Sequence, residues 1–259
     1  MLIDTHFHLD LMENMHSLIR DISNTDVGII AVGTTPKAYE KEKRFCRGVE
    51  QIKVSLGFHP QLVRDRAEEI ELFLELAEDA KYIGEIGLDF NRNFIASKEQ
   101  QLSCFRRVAK ACADEGGKVL SIHSVRAVGV VIDELERAGT FRNNICILHW
   151  FTGTCSERKR AIDNGAYFSI NPRMLDTKGG QEIIRSVPDD RIVLETDAPF
   201  VQGYNSALSL KHGLRKIVRT ISQTRGYDCS SQIERNNQSV WNEEKKMDVV
   251  SCLSALLRL

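Results

Sequence analysis

The sequence has neither a long apolar run nor an excess of charge of one sign. No stretch of about eighteen apolar residues occurs, so we expect no membrane-spanning helix. The 35 lysines and arginines nearly balance the 36 aspartates and glutamates, and a net charge of −1 excludes a general electrostatic attraction for nucleic acid. A polyanion must therefore be held by local residues and bound cations. The N-terminus also lacks a signal peptide, because Asp4, His6 and His8 interrupt its apolar stretch.

Cysteine pairs at the spacing of a metal knot or redox motif are also missing. The seven cysteines are odd in number and form no C-x-x-C pair; they are Cys46, Cys104, Cys112, Cys146, Cys155, Cys229 and Cys252. Several of them stand in apolar helical or strand contexts. We therefore expect reduced core thiols in a cytoplasmic protein.

Repeats, low-complexity runs and Gly/Ser/Pro linkers are absent, so we expect one domain over residues 1–259. Helical patterns over 207–220, from Ser231 onwards and over 248–259 predict C-terminal helices, within about 205–259, that pack on this domain. The last of these is also a candidate surface for a partner protein.

Eight short strand-like runs alternate with longer helical patterns along the chain. The predicted strands are 2–7, 27–33, 52–58, 81–87, 118–123, 145–149, 166–170 and 191–196. Strands that alternate with helices indicate a parallel sheet, and eight such units in about 250 residues indicate an α/β fold of the TIM (β/α)8 barrel type. An open doubly wound sheet is the alternative. Such a sheet normally binds its ligand at one crevice, whereas the candidate binding side chains of this chain, described below, stand at the ends of five separate strands.

Helix-start signals support this alternation of elements. Thr35 and Pro36 predict an N-cap followed by proline at the first helical position. Ser97 and Gln100 have the spacing of a capping box, and a further helix is expected after Ser124.

Polar side chains with metal-ligand chemistry end five of the predicted strands. His6 and His8 are two residues apart on the first strand, so their side chains point to the same side. A single histidine at such a position is more often a satisfied polar group, and a buried glutamate more often forms a salt bridge. The recurrence on five strands favours a metal centre, with the strand ends occupied by His6, His8, Glu85, His123, His149 and Asp197. Glycines on both sides of Glu85 allow other groups to approach it closely.

Four imidazoles and two carboxylates exceed the needs of one four-coordinate ion. Two ions bridged by a carboxylate fit this ligand number better. Mixed nitrogen and oxygen ligands suit Zn, Mn, Fe or Co, whereas Mg prefers oxygen. Such a centre activates a water molecule for attack on a phosphoryl or carbonyl group.

The strings DTHFHLD, GFHP, GEIGLD, IHS, HWFTG and ETDAP, in this order, resemble the TatD family of metal-dependent deoxyribonucleases. The resemblance covers roughly residues 1–240 and extends to the spacing between motifs. It implies a barrel of the metal-dependent hydrolase type with two divalent ions (Zn, Mn or Mg) bound by the six strand-end residues. It also implies that Glu85 bridges both ions and that Asp197 holds one of them and orients the attacking water. These two residues are thus the expected catalytic residues, and the expected substrate is DNA, with RNA or a nucleotide as alternatives.

The chain departs from the common family pattern at three places. Trp150 stands where most relatives have cysteine, and Gly116, Gly117 and Lys118 replace the usual proline before the fifth strand. The C-terminal segment also matches the family pattern poorly. The strings GGKVLSIHSVRA and LHWFTG are similar to the QatD branch, from the Qat anti-phage system. That resemblance implies an ATPase and a QueC-like protein as partners.

Residues near the strand ends are candidates for substrate contacts. His59 and Arg126 are candidates for phosphate contacts, and Trp150, beside Phe151 over the expected mouth, for stacking on a base. Asn171 and Arg173 are candidates for the wall of a substrate groove. The ordinary alternatives are a polar loop role for His59, a surface salt bridge for Arg126 and core packing for Trp150. His16 and His212 are expected at the surface.

Two other functions are compatible with the sequence. One is hydrolysis of a small molecule by an amidohydrolase-like enzyme, since those enzymes share the barrel and the H-x-H pair. Many of them bridge their metals with a lysine at the end of the fourth strand, where this chain has Glu85. The other is a metal-holding scaffold in a defence complex, although none of the six ligand positions is missing.

Overall fold

The eight predicted strands are present, and helices connect them. A computed structural model describes residues 1–243. The strands are β1 (Leu2–Phe7), β2 (Val27–Val32), β3 (Ile52–Ser55), β4 (Tyr82–Asp89), β5 (Val119–Val125), β6 (Ile145–Leu148), β7 (Tyr167–Ile170) and β8 (Ile192–Leu194). The helices are α1 (Met15–Ile22), α2 (Pro36–Phe45), α3 (Val63–Arg66), α4 (Ile70–Ala77), α5 (Lys98–Glu115), α6 (Val128–Ala138), α7 (Cys155–Asp163), α8 (Lys178–Ser186), α9 (Ala207–Arg225) and α10 (Ser230–Trp241).

The strands form two parallel sheets that join into a closed ring. One sheet has the order β1-β2-β3 and the other the order β4-β5-β6-β7-β8. Leu56, after β3, donates its N–H to Tyr82 O at 2.9 Å and so connects β3 to β4. On the other side, the N–H of Asp197 donates to His6 O at 3.1 Å and connects the end of β8 to β1. The predicted TIM barrel is confirmed.

Side chains alternate between the barrel interior and the surrounding helices. Ile145 and Ile147 of β6 belong to the apolar cluster inside the barrel, and His149 follows in the same alternation. Val240, at the end of α10, packs into this cluster. Because residues two apart on a strand point to the same side, the polar residues at the strand ends lie above this apolar layer.

Several local predictions need correction. Ser97 is the N-cap residue of α5, but its hydroxyl does not cap the helix. The hydroxyl donates to Phe94 O at 2.9 Å and accepts from Gln101 Nε2 at 3.0 Å, so the predicted capping box with Gln100 is not formed. The helix expected after Ser124 begins only at Val128, so Arg126 lies in the turn before it.

Other predictions agree with the structure. Thr35 is the N-cap of α2 and Pro36 its first residue. The six cysteines among residues 1–243 carry thiols rather than disulfides, and all except Cys155 are buried. The helix expected over 248–259 and Cys252 lie outside the described residues. No helix within residues 1–243 is both long and apolar enough to span a membrane.

Candidate metal centre

His6 and His8 lie side by side at the end of β1. Both are buried, and their Nε2 atoms are 3.2 Å apart. The Nδ1 atom of His6 is 2.7 Å from Ser121 Oγ, which fixes this ring and leaves Nε2 facing the centre of the barrel. The predicted pair of same-side imidazoles is therefore present.

Glu85 reaches the barrel interior because β4 is irregular around it. The pairing register of β4 with β5 shifts between Ile83 and Ile86. Two glycines make this path possible, since a Cβ on Gly84 would lie 2.9 Å from Ser121 O and one on Gly87 would lie 2.0 Å from His123 O. Only glycine tolerates such close backbone contacts at positive φ, as the flanking glycines suggested.

The two carboxylate oxygens of Glu85 face different imidazole pairs. Oε2 lies 3.5 Å from His6 Nε2 and 3.3 Å from His8 Nε2. Oε1 lies 2.6 Å from His123 Nδ1 and 4.0 Å from His149 Nε2. Glu85 thus stands between two groups of nitrogen donors.

A carboxylate holds the outer side of each of the other two imidazoles. His123 Nε2 is 3.1 Å from Asp89 Oδ2, and His149 Nδ1 is 2.8 Å from Glu195 Oε2. In metal sites, a histidine ligand typically donates its second ring N–H to such a carboxylate. Both rings therefore have the orientation of metal ligands.

Asp197 completes the side of the centre formed by β1. Its Oδ1 atom is 3.6 Å from the Nε2 atoms of both His6 and His8. The backbone φ of Asp197 is 58°. Residues other than glycine rarely adopt such a value, and those that do are found preferentially at functional sites. Trp150 and Arg126, which follow β6 and β5, also have positive φ values of 39° and 53°.

A cavity of about 310 Å³ opens directly onto these groups. Its walls contain five of the six predicted ligands, and the sixth, His6, is fully buried beneath them. The other side chains that form the walls are His59, Gln61, Ser124, Val125, Trp150, Thr152 and Phe200. This volume is in the range of a small-molecule pocket rather than of a duplex-sized groove.

The donor set fits divalent cations. Three groups of side chains have ligand atoms within 4.8 Å of one another: His6 with His8 and Glu85, His59 with Glu85 and His123, and His6 with His149 and Glu195. In addition, the buried Nε2 atoms of His6 and His8 converge on carboxylate oxygens, as ligands of a shared cation do. Imidazole and carboxylate donors together suit Zn or Mn.

Burial and mutual interactions shift the pKa values of these groups strongly. Burial lowers the pKa of His6 to about 3, so this imidazole is neutral and its lone pair is available. Burial opposes ionisation of Glu85, but the imidazoles of His59 and His123 hold the pKa of Glu85 well below its usual value. Burial raises the pKa of Asp197 to about 7. A bound cation would favour the carboxylate form of Asp197, since an adjacent opposite charge lowers a carboxyl pKa.

Some predicted substrate residues lie at the cavity and others do not. His59 and Trp150 form part of its wall, whereas Arg126 and Arg173 are exposed residues outside it. Phe151 is buried and packs edge-to-face on Phe168, with ring centroids 5.1 Å apart, so it does not cover the mouth.

Three further predictions concern residues outside the cavity. Asn171 is fully buried and donates to Glu195 Oε1 at 3.0 Å, so it is not placed in a substrate groove. His16 and His212 are exposed, as predicted.

Sequence reasoning missed the residues that support the candidate ligands. Asp89, Glu195 and Ser121 each bond to the outer nitrogen of a centre histidine. Strand alternation could have identified two of them, since Ser121 stands two positions before His123 and Glu195 two before Asp197. Phe200 was also missed; it is 57% exposed and its ring lies edge-on to His8 at 5.0 Å.

Replacement of Glu195 by glutamine is expected to weaken metal binding by about 10–100-fold, because His149 loses the charged acceptor of its Nδ1–H. Calorimetric titration of the metal-free variant with Zn²⁺ measures this loss. Glu182→Gln is the matched control, since Glu182 is on the exposed part of α8. An unchanged affinity in Glu195→Gln would contradict the supporting role.

Comparison with known proteins agrees with this geometry. A sequence profile described as "TatD related DNase" matches residues 3–242. An uncharacterized metal-dependent hydrolase of Buchnera aphidicola is 30% identical over 211 residues, which cover 77% of this chain and 78% of that protein. A protein of Cronobacter sakazakii named 3'-5' ssDNA/RNA exonuclease TatD is 29% identical, with 77% and 80% covered.

A solved structure shows the same fold at lower sequence identity. The crystal structure of YjjV, a TatD homologue from Escherichia coli K12, superposes with a TM-score of 0.73 at 19% identity. The superposition covers 93% of this chain and 97% of YjjV. The profile match over nearly all described residues, together with the shared fold, shows that the chain belongs to the family of TatD-related DNases, which are metal-dependent hydrolases.

Proposed function

We propose that this protein is a two-metal phosphodiesterase that hydrolyses DNA from a single-stranded end. The observation that supports two ions best is the placement of Glu85, whose Oε2 faces His6 and His8 while its Oε1 faces His123 and His149. A carboxylate between two imidazole pairs is suited to bridge two cations. The ions are Zn, Mn or Mg.

Each residue of the centre has a role in this proposal. Glu85 would hold one ion together with three side chains from β1 and the end of β8, namely His6, His8 and Asp197. Glu85 would hold the other with His123 and His149. Bound divalent ions polarise a phosphoryl oxygen and lower the pKa of a water molecule so that it attacks near neutral pH. The Asp197 carboxylate would accept a hydrogen bond from the water that attacks phosphorus and so orient it, while the P–O bond to the leaving nucleotide oxygen breaks.

The relatives and the cavity support a single-stranded nucleic acid as the substrate. The Cronobacter protein's name describes a 3'-5' exonuclease for single-stranded DNA and RNA. A cavity of about 310 Å³ is large enough for a terminal nucleotide, whereas a duplex would not enter it. The net charge of −1 also disfavours long contacts along a duplex backbone.

A substrate panel tests this function. The purified protein is incubated with single- and double-stranded DNA, RNA, bis-p-nitrophenyl phosphate and small amide substrates, with EDTA or with added Mn, Mg or Zn. We expect metal-dependent release of nucleotides from single-stranded DNA. Hydrolysis of amides without phosphodiesters would instead indicate an amidohydrolase-like enzyme. Inertness towards every substrate, with metal bound, would indicate a scaffold.

Replacement of Trp150 by alanine is expected to weaken binding of single-stranded substrate by about 1–3 kcal/mol, because the half-buried indole at the cavity wall offers a stacking surface to a base. Trp150→Phe is the matched control and should retain most of the affinity. Fluorescence anisotropy of a labelled oligonucleotide measures both, with Ca²⁺ in place of the active metal. A loss of metal binding in Trp150→Ala would contradict a role limited to the substrate.

We also propose a role in bacterial anti-phage defence, as a member of the QatD branch that works with an ATPase and a QueC-like protein. The strings GGKVLSIHSVRA and LHWFTG support this assignment. Co-purification of the tagged protein with the products of neighbouring genes, and a plaque assay with Glu85→Gln, test it. Unchanged plaque numbers in the variant would contradict a catalytic role in defence.

A further inference from the structure

His59 differs from the other centre histidines in the direction of its outer hydrogen bond. Its Nδ1 accepts the backbone N–H of Gln61 at 3.2 Å. A ring nitrogen accepts a hydrogen bond only when it carries no proton. Neutral His59 therefore carries its proton on Nε2, a tautomer assigned here from the direction of the Gln61 N–H.

The outer ring nitrogens of His123 and His149, on the side away from Glu85, have acceptors rather than a donor as their partners. His123 Nε2 and His149 Nδ1 each face a carboxylate oxygen, at 3.1 and 2.8 Å, and a carboxylate accepts but does not donate. Each outer nitrogen can therefore keep a proton when the inner nitrogen gives its lone pair to a cation, even though His123 Nδ1 also lies 2.6 Å from Glu85 Oε1. His59 has its proton on the inner side instead.

The inner nitrogen of His59 faces Glu85. Its Nε2 is 3.2 Å from Glu85 Oε2, so the Nε2–H donates to this oxygen. The main chain of His59 is fixed as well, because its N–H donates to Thr34 O at 3.0 Å and Pro60 follows it at the start of a short 3-10 turn. The donor is held in place before any ligand arrives.

Gln61 connects this bond to the opposite side of Glu85. Its backbone N–H fixes His59, while its side-chain Nε2 donates to Asp89 Oδ2 at 2.8 Å. The same Asp89 oxygen faces His123 Nε2, and His123 Nδ1 is 2.6 Å from Glu85 Oε1. Five residues thus form a closed circuit of hydrogen bonds in which Glu85 is held at both oxygens.

We propose that His59 is a positioning residue that donates from Nε2 to Glu85 and is not a metal ligand. The inference rests on the proposed function, in which Glu85 bridges two ions. It excludes a third ion among His59, Glu85 and His123, although their ligand atoms lie within 4.8 Å of one another. It also differs from the phosphate contact expected from the sequence, since neither ring nitrogen of His59 is left for a phosphate.

Long-range ¹H–¹⁵N spectra of the histidine rings test the tautomer directly. We expect His59 to show a protonated Nε2 and an unprotonated Nδ1 both before and after saturation with Zn²⁺. The inner nitrogens of His123 and His149 should shift on metal addition. Coordination of Zn²⁺ by His59 Nε2, with its proton transferred to Nδ1, would overturn the proposal.

Two variants distinguish hydrogen-bond donation by His59 from coordination of a metal ion by His59. His59→Gln keeps an N–H donor near the position of Nε2, and His59→Leu removes it. Both should still bind two Zn²⁺ per chain by elemental analysis, with affinity about 10–100-fold weaker in His59→Leu and near the parent value in His59→Gln. His123→Gln is the matched control and should lose one ion.

Two results would overturn the proposal: loss of one ion in both His59 variants, or unchanged affinity in His59→Leu. None of these measurements requires nucleic acid. A failure of the proposed nuclease activity would therefore be recorded separately from a failure of this inference.

Discussion

Glutamine in place of Glu85 is expected to lower phosphodiesterase activity by about 1,000-fold or more. The amide keeps the size of the side chain but loses the charge, and only one of its two atoms can still accept a cation. Both groups of imidazoles would lose their shared oxygen donor, because Oε1 and Oε2 face different pairs. Metal ions contribute several kcal/mol of transition-state stabilisation, and about 1.4 kcal/mol corresponds to a tenfold change in rate.

The decisive measurement combines activity with metal content. Initial rates on single-stranded DNA and elemental analysis are compared for the parent chain, Glu85→Gln and Glu68→Gln. Glu68 is an exposed glutamate in the connection between β3 and β4, so its variant should behave like the parent. Circular dichroism confirms that the variants are folded. Full activity of Glu85→Gln at saturating metal would refute a bridging role.

Asparagine in place of Asp197 is expected to reduce kcat by about 100–1,000-fold, the loss typical of removing one group that acts on the transition state. Metal binding should survive in part, because His6, His8 and Glu85 still converge on the same region. KM should change little, since Asp197 is proposed to act on the attacking water rather than on the bound nucleotide.

Steady-state kinetics distinguish this role from simple metal loss. If Asp197→Asn has a low kcat that excess Mn²⁺ does not restore, its role in directing the water is supported. Full restoration by excess metal would reduce Asp197 to a replaceable ligand. Asp65→Asn serves as the control, because Asp65 is exposed on α3, outside the cavity.

The barrel and the strand-end positions of the six candidate ligands could be predicted from the sequence, for reasons that are local. Alternation of strands and helices depends on the spacing of apolar residues, and the position of His6, His123 or His149 at a strand end can be read from the run that precedes it. Parallel strands in a barrel then bring their carboxyl ends to one face. The family resemblance pointed to the same six residues and added their roles.

The supporting residues were harder to predict because each acts through a partner distant in sequence. His149 and Glu195 are 46 positions apart, and His123 and Asp89 are 34 apart. Asp89 appears in the string GEIGLD, but nothing near it in the chain indicates which imidazole it meets. The tautomer of His59 depends on one backbone N–H, whose direction is set by the turn that Pro60 begins.

Composition and periodicity were thus sufficient for the class of fold and for the placement of the six candidate donors at strand ends. Three further properties came from the tertiary structure alone: which oxygen of Glu85 faces which imidazoles, which histidine accepts a backbone N–H at its outer nitrogen, and which aromatic ring remains exposed. The physical reason is that strand periodicity defines the side to which a residue points, whereas hydrogen-bond partners depend on distances of a few tenths of an ångström between strands that are far apart in the chain.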